Sequence, residues 1–383
     1  MKPLVPTGRV IGLDVARALA LVGMMATHIL DPIEENHLTV IQQVAGGRAS
    51  ALFAVLAGVS LALMSGRTVP PSGRDLAAVS TRLAVRAVIV AGIGLALGGI
   101  ESGLAVILTY YGVLFLLGLP FLGLRARTLA VISGIWLLVV PVLSHVLRPH
   151  LPERQYDSPT FSQLTDPWQL LTELTFTGYY PAVPWLAFLL AGMAVGRTDL
   201  ARSRTSTQLA VAGGALAVLS AMASDALLAR PGVMATLEET FTGPGWLGSM
   251  ELTLAHGLYG STPTGSWWWL AVRAPHTATP FDLAHTIGSA LLVIGVCLAA
   301  GRLLPRLLAV LFGAGAMTLT LYSAHVALRS EGLWDGSTTG TFVAQVLAVL
   351  AVGAGFRLAR RRGPLEAVLA RVSTAPQRVL ARR

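Results

Sequence analysis

The feature that most constrains this chain is a recurrence: apolar stretches long enough to cross a bilayer follow one another, with arginines in the gaps. A membrane helix needs about 20 mostly apolar residues. Stretches near that length lie at 10–30, 46–65, 83–100, 104–123, 128–147, 181–197, 208–229, 283–301, 307–328 and 340–357. Hydrocarbon offers backbone amides no partner, so each stretch must satisfy its own N–H and C=O groups by forming a helix. The pattern predicts an all-α polytopic membrane protein, a bundle of about ten transmembrane helices. These make one transmembrane domain over residues 1–357, with a basic cytoplasmic tail over 358–383.

Loop charge orients the bundle and tests the count. With the N-terminus in the cytoplasm, inner segments hold 21 of the 28 basic residues, among them Lys2, Arg9, Arg67, Arg82, Arg86, Arg197 and every arginine from Arg357 on. Outer segments hold five, Arg148, Arg154, Arg230, Arg273 and Arg329, while Arg17 and Arg48 fall within spans. Shifting the count by one span destroys this bias, so both termini are expected in the cytoplasm. Two outer loops are long, at 148–180 and 230–280, and rich in Pro, Trp, Tyr, Thr and Asp. Loops of that length on one side of a bundle often cover a site. The run Trp267-Trp268-Trp269 reads as interfacial, because indole rings favour the headgroup level.

Composition closes off other classes. The chain is 54% hydrophobic and 12% charged, roughly half the charge of a soluble domain. Net charge is +9, yet the basic residues form short runs between apolar stretches rather than one face, so nucleic acid is not an expected partner. A single cysteine, Cys297, excludes an intrachain disulfide and any cysteine-based metal site. The 27 arginines against one lysine and one asparagine (Asn36) point to a GC-rich, bacterial genome. The first stretch holds Asp14 and Arg17 and lacks a small-x-small cleavage site, so it reads as a retained helix. No phosphate-binding loop or His-Glu-x-x-His metal motif occurs, and Gly313-x-Gly315 and Gly353-x-Gly355 read as helix-packing glycines.

Ionisable residues inside apolar spans are costly, so they mark sites or pairs. Three places stand out. In the first span Asp14 and Arg17 are three apart, share a helix face and can pair; His28 lies three turns further on, on roughly the same face. An outer turn, Asp31-Pro32-Ile33-Glu34-Glu35-Asn36-His37, surrounds a histidine with acids, and Arg48 then enters an apolar span where it needs a partner or an anionic ligand. The third is Tyr322 and His325, again three apart, at the outer end of the ninth span. All eight histidines fall on the outer side, which concentrates proton-transfer groups at one face. The bland readings are an internal ion pair for Asp14 and Arg17, a solvated turn around His37 and an interfacial His28.

The motif Arg9-x-x-Gly12-Leu13-Asp14-x-x-Arg17-x-Leu19-Ala20 followed by His28 resembles the opening helix of membrane-bound acyltransferases. It is most similar to proteins carrying the heparan-α-glucosaminide N-acetyltransferase catalytic domain, and to YeiB-like membrane proteins. Gly47–Ser60, Tyr110–Phe115, Gly178-Tyr179-Tyr180-Pro181 and Leu319–His325 look like the same group, so the likeness spreads over about 9–328. It implies acyl transfer, commonly of acetyl, from cytoplasmic acyl-CoA to a sugar hydroxyl or amine across the membrane. Acyl-CoA is then a co-substrate, with no permanently bound cofactor and no metal. By spacing from Asp14 and Arg17, His28 matches the histidine of the broader acyltransferase group. By spacing to Phe53–Gly58, His37 matches that of the heparan-type enzymes, which carry an asparagine near the position of His28.

Either histidine can deprotonate the acceptor or carry the acyl group covalently. Arg48, or Arg17, can stabilise charge on the reacting carbonyl, and the inner Arg82 and Arg86 are placed for CoA phosphates. Asp14, Tyr180, Tyr322 and His325 complete the substrate-binding candidates. A proton-coupled transporter or lipid-handling protein is the alternative reading, since intramembrane Asp, Arg and His suit a carrier; a noncatalytic scaffold is a third. Expected partners are the lipid bilayer, a glycan or small-molecule acceptor and, by resemblance, a second copy in a homodimer. The expected location is the bacterial plasma membrane.

Overall fold

Helices form where the apolar stretches place them. The computed structural model describes residues 8–35, 37–154, 158–243, 245–260 and 262–380, with side chains through Ser373. Lys2, Asn36, Arg382, Arg383 and the side chain of Arg378 lie outside the described residues. In chain order the helices are α1 (Ile11–Ile29), α2 (Val40–Ala45), α3 (Arg48–Met64), α4 (Gly73–Gly98), α5 (Leu108–Gly118), α6 (Ala126–Leu147), α7 (Pro167–Thr172), α8 (Ala182–Gly196) and α9 (Ser203–Leu228). They continue with α10 (Val233–Glu239), α11 (Met250–His256), α12 (Pro280–Leu303), α13 (Pro305–Leu311), α14 (Thr318–Leu328), α15 (Thr339–Leu358) and α16 (Pro364–Leu380). A two-stranded antiparallel hairpin between α1 and α2 pairs Ile33 with Leu38 and Glu34 with His37.

Seven helical stretches are long and apolar enough to cross a membrane: Ile11–Ile29, Val40–Met64, Gly73–Gly98, Ala126–His150, Ser203–Leu228, Pro280–Leu303 and Thr339–Leu358. An eighth arises if Pro167–Thr177 and Ala182–Gly196, bent by 50° at their junction, make one span. The chain is therefore an all-α, multi-pass integral membrane protein, but two expected spans are not continuous helices of that length. The stretch at 104–123 yields a shorter apolar helix, Leu108–Phe121. The stretch at 307–328 breaks into α13, a 3-10 turn at Gly313–Ala316 and α14. Glycine weakens a helix interior, and here the broken turn packs directly on α1. A methyl group on Gly315 would collide with the carbonyl of Asp14. The expected packing role of this glycine is met.

Local signals set several ends. Thr279 and Thr338 cap α12 and α15 by accepting from the backbone N–H groups of Asp282 and Thr341, at 3.1 Å each. Pro280 and Pro305 occupy first helical positions. At α14 the cap comes from afar: the Glu366 carboxylate of α16 accepts from Leu319 N (2.9 Å), Thr320 N (3.2 Å) and the Thr320 hydroxyl (2.6 Å). An anion there complements the helix dipole.

Burial divides the helices into an interior and a rim. Every residue of α8 except Val183 is buried, and α1, α3 and α12 are largely so. Lipid gives no hydrophobic drive between helices, so close approach through small residues holds them; a methyl on Gly192 of α8 would strike the Val55 carbonyl of α3. The rim helices instead turn large apolar residues outward, including Val131, Ile135 and Leu138 of α6, Val211, Leu219 and Met222 of α9, and Val343, Leu347 and Val352 of α15. An apolar belt of this extent belongs against lipid.

The 230–280 loop is not a tether. Val233, Leu237, Met250, Leu254, Leu258, Trp269 and Val272 form a second small core. Trp269 is fully buried, and its indole N–H donates to the Thr240 hydroxyl at 3.0 Å. The interfacial expectation for the tryptophan run therefore fails at Trp269, whose side chain anchors this core. Trp267 stays exposed beside the His145 ring, 4.7 Å between centroids.

Candidate functional site

The polar residues that stood out in the sequence divide between the two ends of the bundle. At one end lies a charge cluster. The buried Asp14 carboxylate accepts from Arg9 Nε (2.6 Å) and Nη2 (2.9 Å), Arg17 Nη1 (3.2 Å) and Arg357 Nη2 (2.8 Å). Arg17 also donates to the Ser60 hydroxyl at 2.9 Å, and Arg357 to the Ala309 carbonyl at 3.1 Å. The expected Asp14–Arg17 pair is present, and Arg9 and Arg357 join it. This cluster staples α1 to α3, α13 and α15.

Above it Arg17 and Arg86 open onto a small cleft of about 110 Å³ between α1, α3, α4, α5 and α14, walled by Phe53, Leu56, Tyr111, Phe115 and Tyr322. Arg82, by contrast, is spent on the Met64 carbonyl at 2.8 Å and does not line the cleft.

At the other end His28 sits in the last turn of α1. Its Nδ1 is 3.2 Å from Nε2 of His325, with the ring planes 5° apart. His325 Nδ1 is in turn 3.1 Å from Oε1 of Gln345 on α15. His28 faces a cavity of about 270 Å³ whose wall includes Ser50, Ala105, Tyr179, Tyr180, Tyr259 and His276. His28 Nε2 has no hydrogen-bond partner among the described residues. A base oriented by a second group at its other nitrogen is the arrangement required of a general base or nucleophile.

Loops roof this cavity. Arg154 lies over the Tyr179 ring, 3.8 Å from its centroid, and donates to the Tyr259 carbonyl, which ties the 148–180 loop to the 230–280 loop. His276 is sandwiched between Tyr259 (5.1 Å) and Trp185 (6.2 Å) and meets Tyr180 edge-on (5.6 Å). Burial, with Arg154 and His256 nearby, pushes His276 down to about 4, so it is neutral at physiological pH. Burial likewise lowers His256 and raises the Tyr259 phenol.

His37 is elsewhere. It is exposed on the hairpin, its Nδ1 2.8 Å from the Glu35 carbonyl, and it borders a wider vestibule of about 870 Å³. Arg48 lines the same vestibule with the partners its position demanded: Nε donates to His285 Nε2 at 3.1 Å, and a second nitrogen donates to the Gln43 carbonyl. Gln42 and Gly46 border both outer spaces, so the two adjoin. Of the sequence candidates, the structure brings His28 and Tyr180 to one cavity with His325 against His28, His37 and Arg48 to its neighbour, and Arg17, Arg86 and Tyr322 to the cleft.

A family model for heparan-α-glucosaminide N-acetyltransferase, catalytic, matches residues 9–229. The chain belongs to this family. The matched segment contains Arg9, Asp14 and Arg17 of the charge cluster but not Arg357, together with His28, His37, Arg48, Arg86 and Tyr180, and the family is one of transmembrane acetyltransferase-type enzymes. Among curated proteins none matches the chain.

His325, Tyr322 and Gln345 lie beyond the matched segment, yet two of them complete the contact chain that begins at His28. The sequence reading of this acetyltransferase-family chain missed Gln345, Tyr259, His276 and Gln42. Gln345 carried a signal as the one side-chain amide in the last apolar stretch, and His276 as one of the eight outer-side histidines; Gln42 sits in the short helix α2 and Tyr259 in a loop, neither with a periodicity to mark it.

Proposed function

We propose that this protein transfers an acetyl group from acetyl-CoA, presented at the Asp14 end, to an amine or hydroxyl of a glycan or envelope acceptor held in the His28 cavity. The Asp14 end is the cytoplasmic one in this reading, since it carries the arginine-rich termini and loops. The observation that carries the reading is the oriented His28–His325 pair (3.2 Å) facing a cavity walled by three tyrosines. His28 Nε2 takes the acceptor's proton as the acceptor attacks the thioester carbonyl. A C–N or C–O bond forms, the C–S bond breaks, and the proton passes to the departing CoA sulfur.

Hydrogen bonds lie between the arginine-lined cleft and the His28 cavity. Tyr111 donates to the Ser50 carbonyl (3.3 Å), and the Tyr322 hydroxyl accepts from Ile107 N (3.2 Å). Breaking the Tyr111–Ser50 contact would bring the two spaces together. The carrier alternative loses its best proton site, because Asp14 is held by three arginines.

The test is binding and turnover of radiolabelled acetyl-CoA by purified protein, wild type beside His28→Ala and His37→Ala. Saturable binding with histidine-dependent release of acetate supports transfer. Absence of binding in a folded sample overturns it, and retained activity in both variants overturns the site.

A further inference from the structure

We propose that Gln345 is a positioning residue that fixes the protons of the His325–His28 pair, so that His28 presents a bare Nε2 to the cavity. The inference rests on the reading of His28 as the reacting base.

The assignment runs inward from the far end. The side-chain nitrogen of Gln345 is 3.0 Å from the Trp334 carbonyl, an acceptor with no proton to give, so that atom must be the amide NH2. Its Oε1 then faces His325 Nδ1 at 3.1 Å and can only accept, which places a proton on Nδ1. Both histidines are neutral in this arrangement: no carboxylate ion-pairs with either ring among the described residues, and His325 is buried. A neutral His325 protonated at Nδ1 has a lone pair at Nε2, so the 3.2 Å contact is donated by Nδ1–H of His28. The one remaining nitrogen, His28 Nε2, carries the lone pair that faces the cavity.

The free histidine side chain favours the proton on Nε2, the form in which His28 would offer the cavity a donor instead of a base. The carbonyl of Trp334, through an amide and a second histidine, reverses that preference. Gln345 touches neither cavity wall nor substrate; it acts through His325.

The experiment is long-range proton–nitrogen NMR of the full-length protein labelled with 15N-histidine, in which the two neutral tautomers give distinct nitrogen shifts. Loss of signals in His28→Ala and His325→Ala assigns the pair. Wild type should show both rings protonated at Nδ1. Gln345→Leu should return His325 to the Nε2 form. It should also lower kcat by between about 10-fold and 10⁴-fold, with KM for acetyl-CoA unchanged. Gln345→Glu keeps an acceptor at the same reach and, as the neutral acid with its hydroxyl donating to the Trp334 carbonyl, should keep both Nδ1 protons and most of kcat.

A wild-type His28 protonated at Nε2 overturns the proposal. So does a folded Gln345→Leu with unchanged tautomers and kcat. Should Gln345→Leu fail to fold, the wild-type spectrum still decides. The spectra require no turnover. Full transfer by His28→Ala with the expected tautomers would therefore fault the acetyltransferase site and leave the tautomer assignment standing.

Discussion

The two ends of α1 carry polar residues on one helix face, and they are opposite in kind. Asp14 is a buried charge with every oxygen engaged by guanidinium groups. His28 is a neutral ring with one nitrogen engaged and one facing open space. Buried charge is tolerable only when it is paired and hydrogen-bonded. A group so fully satisfied has nothing left to offer a substrate. A neutral base costs far less to bury and keeps a lone pair for chemistry. Intramembrane polarity therefore marks function only where some valence stays unspent. By that measure the first end of α1 is architecture and the second is the reaction centre.

The largest effect should come from breaking the first end. Asp14→Ala leaves three arginines facing one another at a helix junction, and breaking a buried pair costs about 3–5 kcal/mol. We expect little folded protein by size-exclusion chromatography in detergent. Asp14→Ala combined with Arg357→Leu should recover part of the melting temperature, because Arg357 is the most buried of the three partners. Equal stability of wild type and Asp14→Ala would reverse the contrast between the ends.

Next in size is the other end. His28→Ala should melt within a few degrees of wild type yet lose about 10²–10⁴ in acetyl-transfer rate, the range for a removed general base. His37→Ala, whose ring is exposed on a hairpin and contacts only a carbonyl, should stay near wild-type activity. The opposite ranking would move the centre into the vestibule and make the His28–His325 pair structural.

How much of this was legible in the sequence follows from which interactions are local. The long apolar helices, the Asp14–Arg17 pair and the candidacy of His28 came from periodicity and spacing on single helices. Arg9 and Arg357 joining the same carboxylate did not, because the second contact spans 343 positions along the chain. His28 and His325 were each singled out, but nothing in the pattern of either helix says that their rings meet. The broken helix at Gly313–Ala316 was missed because hydropathy sees continuity where the backbone turns. Trp269 was misplaced for a related reason: an indole suits an interface and a small loop core equally well, and only the partners at 233–258 decide.

A smaller effect is expected at the vestibule. Arg48→Ala removes the donor to His285 and to the Gln43 carbonyl just before α3, and opens a space already about 870 Å³. If the vestibule admits the acceptor to the His28 cavity, KM for the acceptor should rise about tenfold, a loss near 1.4 kcal/mol, while acetyl-CoA binding stays unchanged. A fall in kcat as large as that of His28→Ala would instead place Arg48 at the reacting carbonyl.

The smallest effect concerns pH and sharpens the contrast between spent and unspent groups. His276 has its ring enclosed by Tyr259, Trp185 and Tyr180, and its proton affinity is depressed from 6.5 to about 4. The folded state thus prefers the neutral ring, whereas the unfolded chain protonates it near 6.5. Stability from this group is therefore complete above pH 6.5 and is lost as pH falls toward 4, at no more than about 1.4 kcal/mol per pH unit. Carboxylates elsewhere titrate in the lower part of that window, so the comparison must be with His276→Phe, which keeps an aromatic ring in the stack and removes the proton. The melting temperature of wild type should fall more steeply than that of the variant between pH 6.5 and 5. Parallel curves would mean that His276 can leave the stack when protonated, and that the loop roof over His28 opens more readily than its packing indicates.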